Sequence, residues 1–141
     1  MKLISHRGNL NGRYPERENA VEYIHHALEQ GYDVEIDVWY SNTFKWWLGH
    51  DFPQYQTDYE FLSTAGLWVH CKNMEALDQL AGSDINFFFH ENDPYTLTSK
   101  GWIWAYPGHF TSKGICVLPE INDQDVSNFQ GVCSDFIARY K

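Results

Sequence analysis

Between Gly31 and Trp39 the chain reads Tyr32-Asp33-Val34-Glu35-Ile36-Asp37-Val38, with acids and aliphatic residues strictly alternating. Successive residues of an extended chain point to opposite faces. This segment is therefore a strand with Val34, Ile36 and Val38 on one side and Asp33, Glu35 and Asp37 on the other. The aliphatic face demands a covering layer, so the strand belongs to a sheet packed on at least one side. The acidic face demands positive charge. Glu35 and Asp37 project together, and two unpaired carboxylates that close repel, for which a hard divalent cation with oxygen ligands is a common remedy. Pairing of one carboxylate with Lys or Arg in an ordinary sheet explains the segment equally well when it is taken alone.

Elements on either side of this strand follow from pattern. Lys2 to Ser5 is a short apolar opening that ends at His6-Arg7-Gly8, and Asn9 to Pro15 has the Gly, Asn and Pro content of a loop. Val21, Ile24, Ala27 and Leu28 recur at helical spacing between Glu18 and Gln30, with Gly31 as a C-terminal stop. Ser41-Asn42 reads as a turn into Phe44 to Gly49, a hairpin return that delivers His50-Asp51 beside the acids. Leu67 to Lys72 is a further strand, followed by a short helix from Met74 to Ala81. Ile85 to His90, Trp102 to Tyr106, Ile115 to Leu118 and Val132 to Phe136 are four more strand candidates. Most of their connections are too short for a crossover helix.

The expected fold class is α/β with a largely parallel sheet. About seven strands plus a hairpin suggest a TIM-like barrel, but a complete (β/α)₈ barrel takes about 250 residues. A chain of 141 residues implies a minimal or incomplete version with several outer helices trimmed. It either closes through short loops or stays open with a partner, a homo-oligomer, over the gap. No linker or repeat interrupts residues 1–141, which read as a single domain.

Composition narrows the partners. Ten basic against nineteen acidic residues give a net charge of -9, a field that repels nucleic acid and anionic membrane surfaces. No apolar run approaches the roughly 20 residues needed to span a bilayer, and no signal peptide is expected. Cys71, Cys116 and Cys133 each sit in an apolar run, which fits buried thiols in a reducing, cytoplasmic compartment. The aromatic share of 17% reads chiefly as core volume. Trp102, Trp104 and Tyr106 on one strand face are expected to pack inward, with ligand stacking as the lesser role. His25-His26 reads as a solvated helix face. His90-Glu91-Asn92-Asp93 reads as a strand running into a polar turn, with a contribution of polar groups to the same mouth as the alternative. Glu120 and Asp135 follow later strands from which they could line the site, and neither is assigned a role.

His6 and His50 each follow a short strand, at the end where parallel α/β folds assemble their sites, and imidazoles suit acid–base work near neutral pH. Together with these, His6-Arg7-Gly8, Glu18-Asn19, Gly31 to Val38 and His50-Asp51 resemble the signature of the glycerophosphodiester phosphodiesterase family. The likeness is strong over residues 3 to 51. Beyond them, Trp68-Val69-His70-Cys71-Lys72 resembles the family's third strand and Gly131-Val132-Cys133-Ser134-Asp135 its last.

The resemblance implies a barrel enzyme that cleaves a small, glycerophosphodiester-like substrate of lipid or polyol origin. It assigns Glu35 and Asp37 to a divalent metal ion, His6 and His50 to acid–base catalysis, and Arg7, Lys72 and Glu18 to the phosphate or the edge of its site. The chain departs from the family in three places. His70 replaces the glutamate that is the family's third metal ligand, which opens Mn²⁺, Zn²⁺ or Fe²⁺ beside the expected Mg²⁺ or Ca²⁺. Pro15-Glu16 is displaced from Glu18-Asn19, with Ala20 in place of threonine. Only Phe52 to Gly66 joins His-Asp to the third strand, where the family often inserts a cap. Lyase-like cleavage to a cyclic phosphate, and a non-catalytic barrel that binds a phosphate ligand, are the alternatives.

Overall fold

The computed structural model describes residues 1–141, and its elements follow one another as short strands with few helices. Strand β1 (Lys2–His6) leads through a loop to helix α1 (Val21–Glu29) and the long strand β2 (Asp33–Ser41). The hairpin strand β3 (Lys45–Leu48), the two-residue β4 (Tyr55–Gln56) and a single turn α2 (Tyr59–Leu62) precede β5 (Leu67–Cys71) and α3 (Met74–Leu80). Strands β6 (Phe87–Phe89), β7 (Tyr95–Leu97), β8 (Ile103–Ala105), β9 (Gly114–Val117) and β10 (Gly131–Ser134) complete one ten-stranded sheet.

Seven of these strands run parallel, in the order β6-β5-β2-β1-β10-β9-β8. Chain order is thus preserved around a curled sheet, and the first strand pairs with the last, Lys2 to Ser5 against Gly131 to Ser134. The interval between β6 and β8 has no ladder. It is bridged by the β7 hairpin, antiparallel to β8, and Ser99, two residues past β7, ties back to the start of β6: Ser99 N–H donates to the Phe87 carbonyl (2.8 Å), Phe87 N–H to Ser99 Oγ (2.9 Å) and Ser99 Oγ to the Ile85 carbonyl (2.8 Å). The result is a mixed α/β, curled, partial barrel with few helices.

Two cores sandwich the sheet. On the outer face Val34, Ile36 and Val38 pack with Ile24 and Ala27 of α1, Leu48 of β3, Val69 and Cys71 of β5, and Ala76 and Leu80 of α3. Inside the curl Ile4, Trp68, Phe88, Trp104, Ile115, Val117 and Cys133 form a second cluster, with Trp68 and Trp104 ring centroids 5.6 Å apart and Phe88 and Trp104 at 5.0 Å. The aromatic content therefore fills the concave face, as its composition suggests, and this plug is the floor on which the polar end of the sheet rests.

Helix α1 starts at Val21 rather than Glu18 because Glu18 and Asn19 are buried with their side chains turned to polar partners. Strand β2 runs on to Ser41, three residues past Val38, because β3 pairs with it there in antiparallel register. No helix is long and apolar enough to cross a membrane, and all three cysteines are buried and unpaired.

Candidate functional site

The three acids of β2 separate into two environments. Asp33 accepts from Trp68 Nε1 (2.9 Å) and lies 3.7 Å from Lys2 Nζ, at the end of the strand where the chain enters the sheet. Glu35 and Asp37, both buried, lie further along the concave face, where parallel α/β sheets place their ligands. His70 on β5 pairs in register with Asp37, so its ring stands beside both carboxylates. Its Nδ1 is 3.2 Å from Asp37 Oδ1 and 3.7 Å from Glu35 Oε2, and its other face stacks on Phe88 at 4.9 Å. One ligand atom from each of Glu35, Asp37 and His70 falls within 4.8 Å of the others. This group could hold a metal ion.

The polar atoms around the group fit that use. Asp37 Oδ2 is occupied, accepting from Asn19 Nδ2 (2.9 Å) and lying 3.0 Å from Arg7 Nε. Asp37 Oδ1, Glu35 Oε1 and His70 Nε2 are buried without a hydrogen-bond partner. Leaving such atoms unmet costs about 1–3 kcal/mol each; the two carboxylate oxygens, and the imidazole once it has lost its proton, could each ligate a cation. Burial of the His70 ring opposes its protonation, but the adjacent Asp37 and Glu35 outweigh this and hold its pKa up to about 9. Asp37 moves the other way: despite burial, contact with His70 and Arg7 holds its carboxyl well below the usual range. The approach of His70 Nδ1 to Asp37 is an ion-pair contact, since Asp37 Oδ1 lacks an aligned donor.

His6 closes the other side of Glu35. Its Nδ1 lies 2.7 Å from Asp135 Oδ1 and its Nε2 3.8 Å from Glu35 Oε1. An ionised carboxylate only accepts, so Nδ1 carries a proton towards Asp135 and Nε2 faces Glu35. Burial opposes charge on this ring, yet Asp135 and Glu35 prevail and raise its pKa, while the His6 bond outweighs burial at Asp135 and lowers the acid. Arg7 follows in left-handed backbone (φ 59°), as does Asn19 (φ 68°), a conformation that costs roughly 1–2 kcal/mol outside glycine and least for Asn and Asp. The two are locked to each other and to β2: Arg7 N–H donates to the Glu35 carbonyl (2.9 Å) and Asn19 N–H to the Arg7 carbonyl (3.1 Å). The guanidinium then reaches Asp37 and Glu18 Oε1, the latter at 3.2 Å. Gly8, at φ 97°, lies under the Tyr23 ring, which a Cβ would meet at 2.5 Å.

His50 comes from the turn after β3. Gly49 makes that turn possible, with φ 152° and a backbone so close that a Cβ would stand 2.0 Å from the Phe52 carbonyl oxygen. The His50 ring is held by Asp51 (Nδ1 to Oδ1, 2.8 Å) and remains 44% exposed. His6, Arg7, Glu35, His50, His70 and Lys72 all line one cleft of about 280 Å³. Asp37 lies beneath it, and Glu18 lines an adjoining cleft that shares Arg7 and His50. Thus the eight residues expected at the site (His6, Arg7, Glu18, Glu35, Asp37, His50, His70 and Lys72) lie in this one region.

No family model, curated protein or solved structure matches the chain. The site is therefore read from its own chemistry.

Sequence reasoning assigns no role, or only an alternative one, to several residues of this region. Asp135 orients His6 across 129 residues of separation, a contact that depends on the pairing of β1 with β10. Asn19 fixes Asp37, and Asn9 lies wholly buried between Glu18 and Asp135. The opposite wall is formed by His90 and Tyr106, whose rings stack at 3.7 Å. Burial and the nearby His70 lower the His90 pKa, and burial with Glu35 raises the Tyr106 phenol far above its ordinary value. Both are uncharged at neutral pH. Glu120, also left without a role, braces the end of β10 by accepting from Ser134 Oγ (2.7 Å) and Asp135 N–H (3.1 Å). His25 and His26 are exposed on α1, away from the cleft.

Proposed function

We propose that this chain is a divalent-metal-dependent phosphodiesterase on a minimal TIM-like barrel, akin to the glycerophosphodiester phosphodiesterases. The observation that carries the reading is the convergence of unpartnered ligand atoms on Glu35, Asp37 and His70 between His6 and His50, with Arg7 and Lys72 on the same cleft. A buried group with two carboxylates and one imidazole suits Mg²⁺, Ca²⁺ or Mn²⁺, with the imidazole favouring Mn²⁺ or Zn²⁺ over an all-oxygen site. Bound there, such an ion supplies Lewis-acid charge to a phosphoryl oxygen.

The side chains divide the remaining work. Arg7, pinned by Glu18 and Asp37, offers its remaining donors to a phosphate oxygen. Lys72 adds charge at the cleft wall. His6, deep beside Glu35 and with Nδ1 committed to Asp135, takes the proton of the nucleophile at Nε2. His50, exposed at the junction of the two clefts, gives its proton to the departing alkoxide. The nucleophile is water for hydrolysis or a substrate hydroxyl for a cyclic product, and the product decides between them. The buried, unpaired thiols suit a reducing compartment such as the cytoplasm.

The test is turnover of bis(p-nitrophenyl) phosphate and glycerophosphocholine by metal-stripped protein resupplied with Mg²⁺, Ca²⁺, Mn²⁺ or Zn²⁺. Expected is activity only with metal, reduced about 10²- to 10⁴-fold in folded His6→Ala and His50→Ala proteins. Metal binding without turnover of any phosphodiester would move the protein to the class of phosphate-ligand binders.

A further inference from the structure

The proposed phosphate anchor and proton carrier are not positioned independently. Arg7 is aimed by Glu18, and His6 by Asp135. Glu18 and Asp135 come from distant parts of the chain and bear the same charge, yet both accept from one amide group: Asn9 Nδ2 donates to Glu18 Oε2 at 3.0 Å and to Asp135 Oδ1 at 2.9 Å. The remaining Asn9 atom, Oδ1, accepts from the Tyr23 hydroxyl at 2.9 Å, which fixes which end of the amide faces the acids. Asn9 is wholly buried, and its backbone N–H is taken by the His6 carbonyl at 3.0 Å. An amide is the group that meets these demands: it has two N–H donors for two carboxylates and one acceptor for a phenol.

We infer that Asn9 is a positioning residue that couples the two halves of the site by holding Glu18 and Asp135 in one hydrogen-bonded bridge. The inference rests on the phosphodiesterase reading above. The Asn9 side chain makes no hydrogen bond to the His6 ring, His50 or the metal-ligand set, for none of these is among its partners. Its loss therefore separates catalysis from metal binding. Replacement by Asp preserves size and the acceptor for Tyr23 but removes both donors and sets a third carboxylate between two others. Moving the amide across the bridge, with Asp at position 9 and Gln at position 18, restores one donor between the same two side chains.

The experiment measures kcat and KM on bis(p-nitrophenyl) phosphate, Mn²⁺ affinity, and folding by circular dichroism. Asn9→Asp is expected to lower kcat about 10- to 100-fold, the usual penalty for removing an orienting partner, while Mn²⁺ affinity stays within about twofold, since its ligands keep their own partners. Asn9→Asp combined with Glu18→Gln is expected to recover at least about fivefold in kcat over Asn9→Asp, the scale of a hydrogen bond of about 1 kcal/mol. A residue that merely fills space would show neither the loss nor the recovery. Should the buried variants fail to fold, Tyr23→Phe reads the same bridge from its rim, with an expected fall of about threefold or more in kcat at unchanged KM for one neutral hydrogen bond. Full kcat in whichever of Asn9→Asp or Tyr23→Phe folds overturns the inference while the phosphodiesterase reading stands. Full turnover in folded His6→Ala overturns that reading itself.

Discussion

His70 is the residue on which the site turns. In the metal-free chain it is a cation in contact with Asp37 and Glu35, with its pKa raised from 6.5 to about 9. A histidine raised on folding stabilises fully below its unfolded value, and this contribution fades as pH climbs through the folded value. With chelator present, urea unfolding should show stability falling between pH 6.5 and about 9, by on the order of 2 kcal/mol after allowance for relaxation, and Asp37→Asn should flatten the slope. Metal reverses the dependence, because a ligating imidazole must first lose its proton. Mn²⁺ binding is thus expected to tighten over the same interval with proton release, measurable by calorimetry in buffers of different ionisation enthalpy. His70→Glu supplies a third carboxylate and should shift the ratio of Mg²⁺- to Mn²⁺-supported turnover about tenfold towards Mg²⁺, a typical effect of altering a coordination environment. The pair Glu35 and Asp37 was legible from alternation alone, since a strand leaves no choice of face. For Asp135 the sequence offers a place at the end of a strand but not its partner, because the contact with His6 depends on the pairing of β1 with β10.

Among the elements, the β3 hairpin and its turn have the strongest bearing on chemistry. The turn holds His50 through Gly49, whose carbonyl also accepts from Trp39 Nε1 at 2.7 Å. Gly49→Ala forces a Cβ onto the Phe52 carbonyl oxygen and should displace His50, lowering kcat by about tenfold or more, as misplacement of an acid–base group does. Mn²⁺ affinity should hold, because Glu35, Asp37 and His70 lie on β2 and β5; isothermal titration checks this. Seven parallel strands and the hairpin could be read in advance because each is a short apolar run, alternating with acids in β2, bounded by polar turns. Strands β4 and β7, of two and three residues, are too short to show a period, and their pairing is set by neighbours rather than by their own residues. Helix α1 lost its expected first turn to Glu18 and Asn19, whose side chains serve the site instead of the helix.

At the scale of the molecule, an aromatic plug fills the curl, and Thr96 and Ser99 tie the β7 segment to β6. Phe88→Ala would open a cavity beneath His70 and should cost about 3–5 kcal/mol, seen as a lower urea midpoint. Ser99→Ala removes the hydroxyl that spans the unladdered interval between β6 and β8 and should cost about 1 kcal/mol, with faster amide exchange at Phe87. The net charge of -9 opposes the approach of an anionic phosphodiester, so kcat/KM should rise as salt is added up to about 0.15 M, where the screening length is about 8 Å. The pairing of β1 with β10 has a temporal counterpart. During synthesis His6 emerges from the ribosome far ahead of Asp135, its orienting acid 129 positions later. A nascent chain that already displays His6, Arg7, His50 and His70 still lacks the strand that orients His6, so on the proposed reading it is expected to stay inactive until β10 is made.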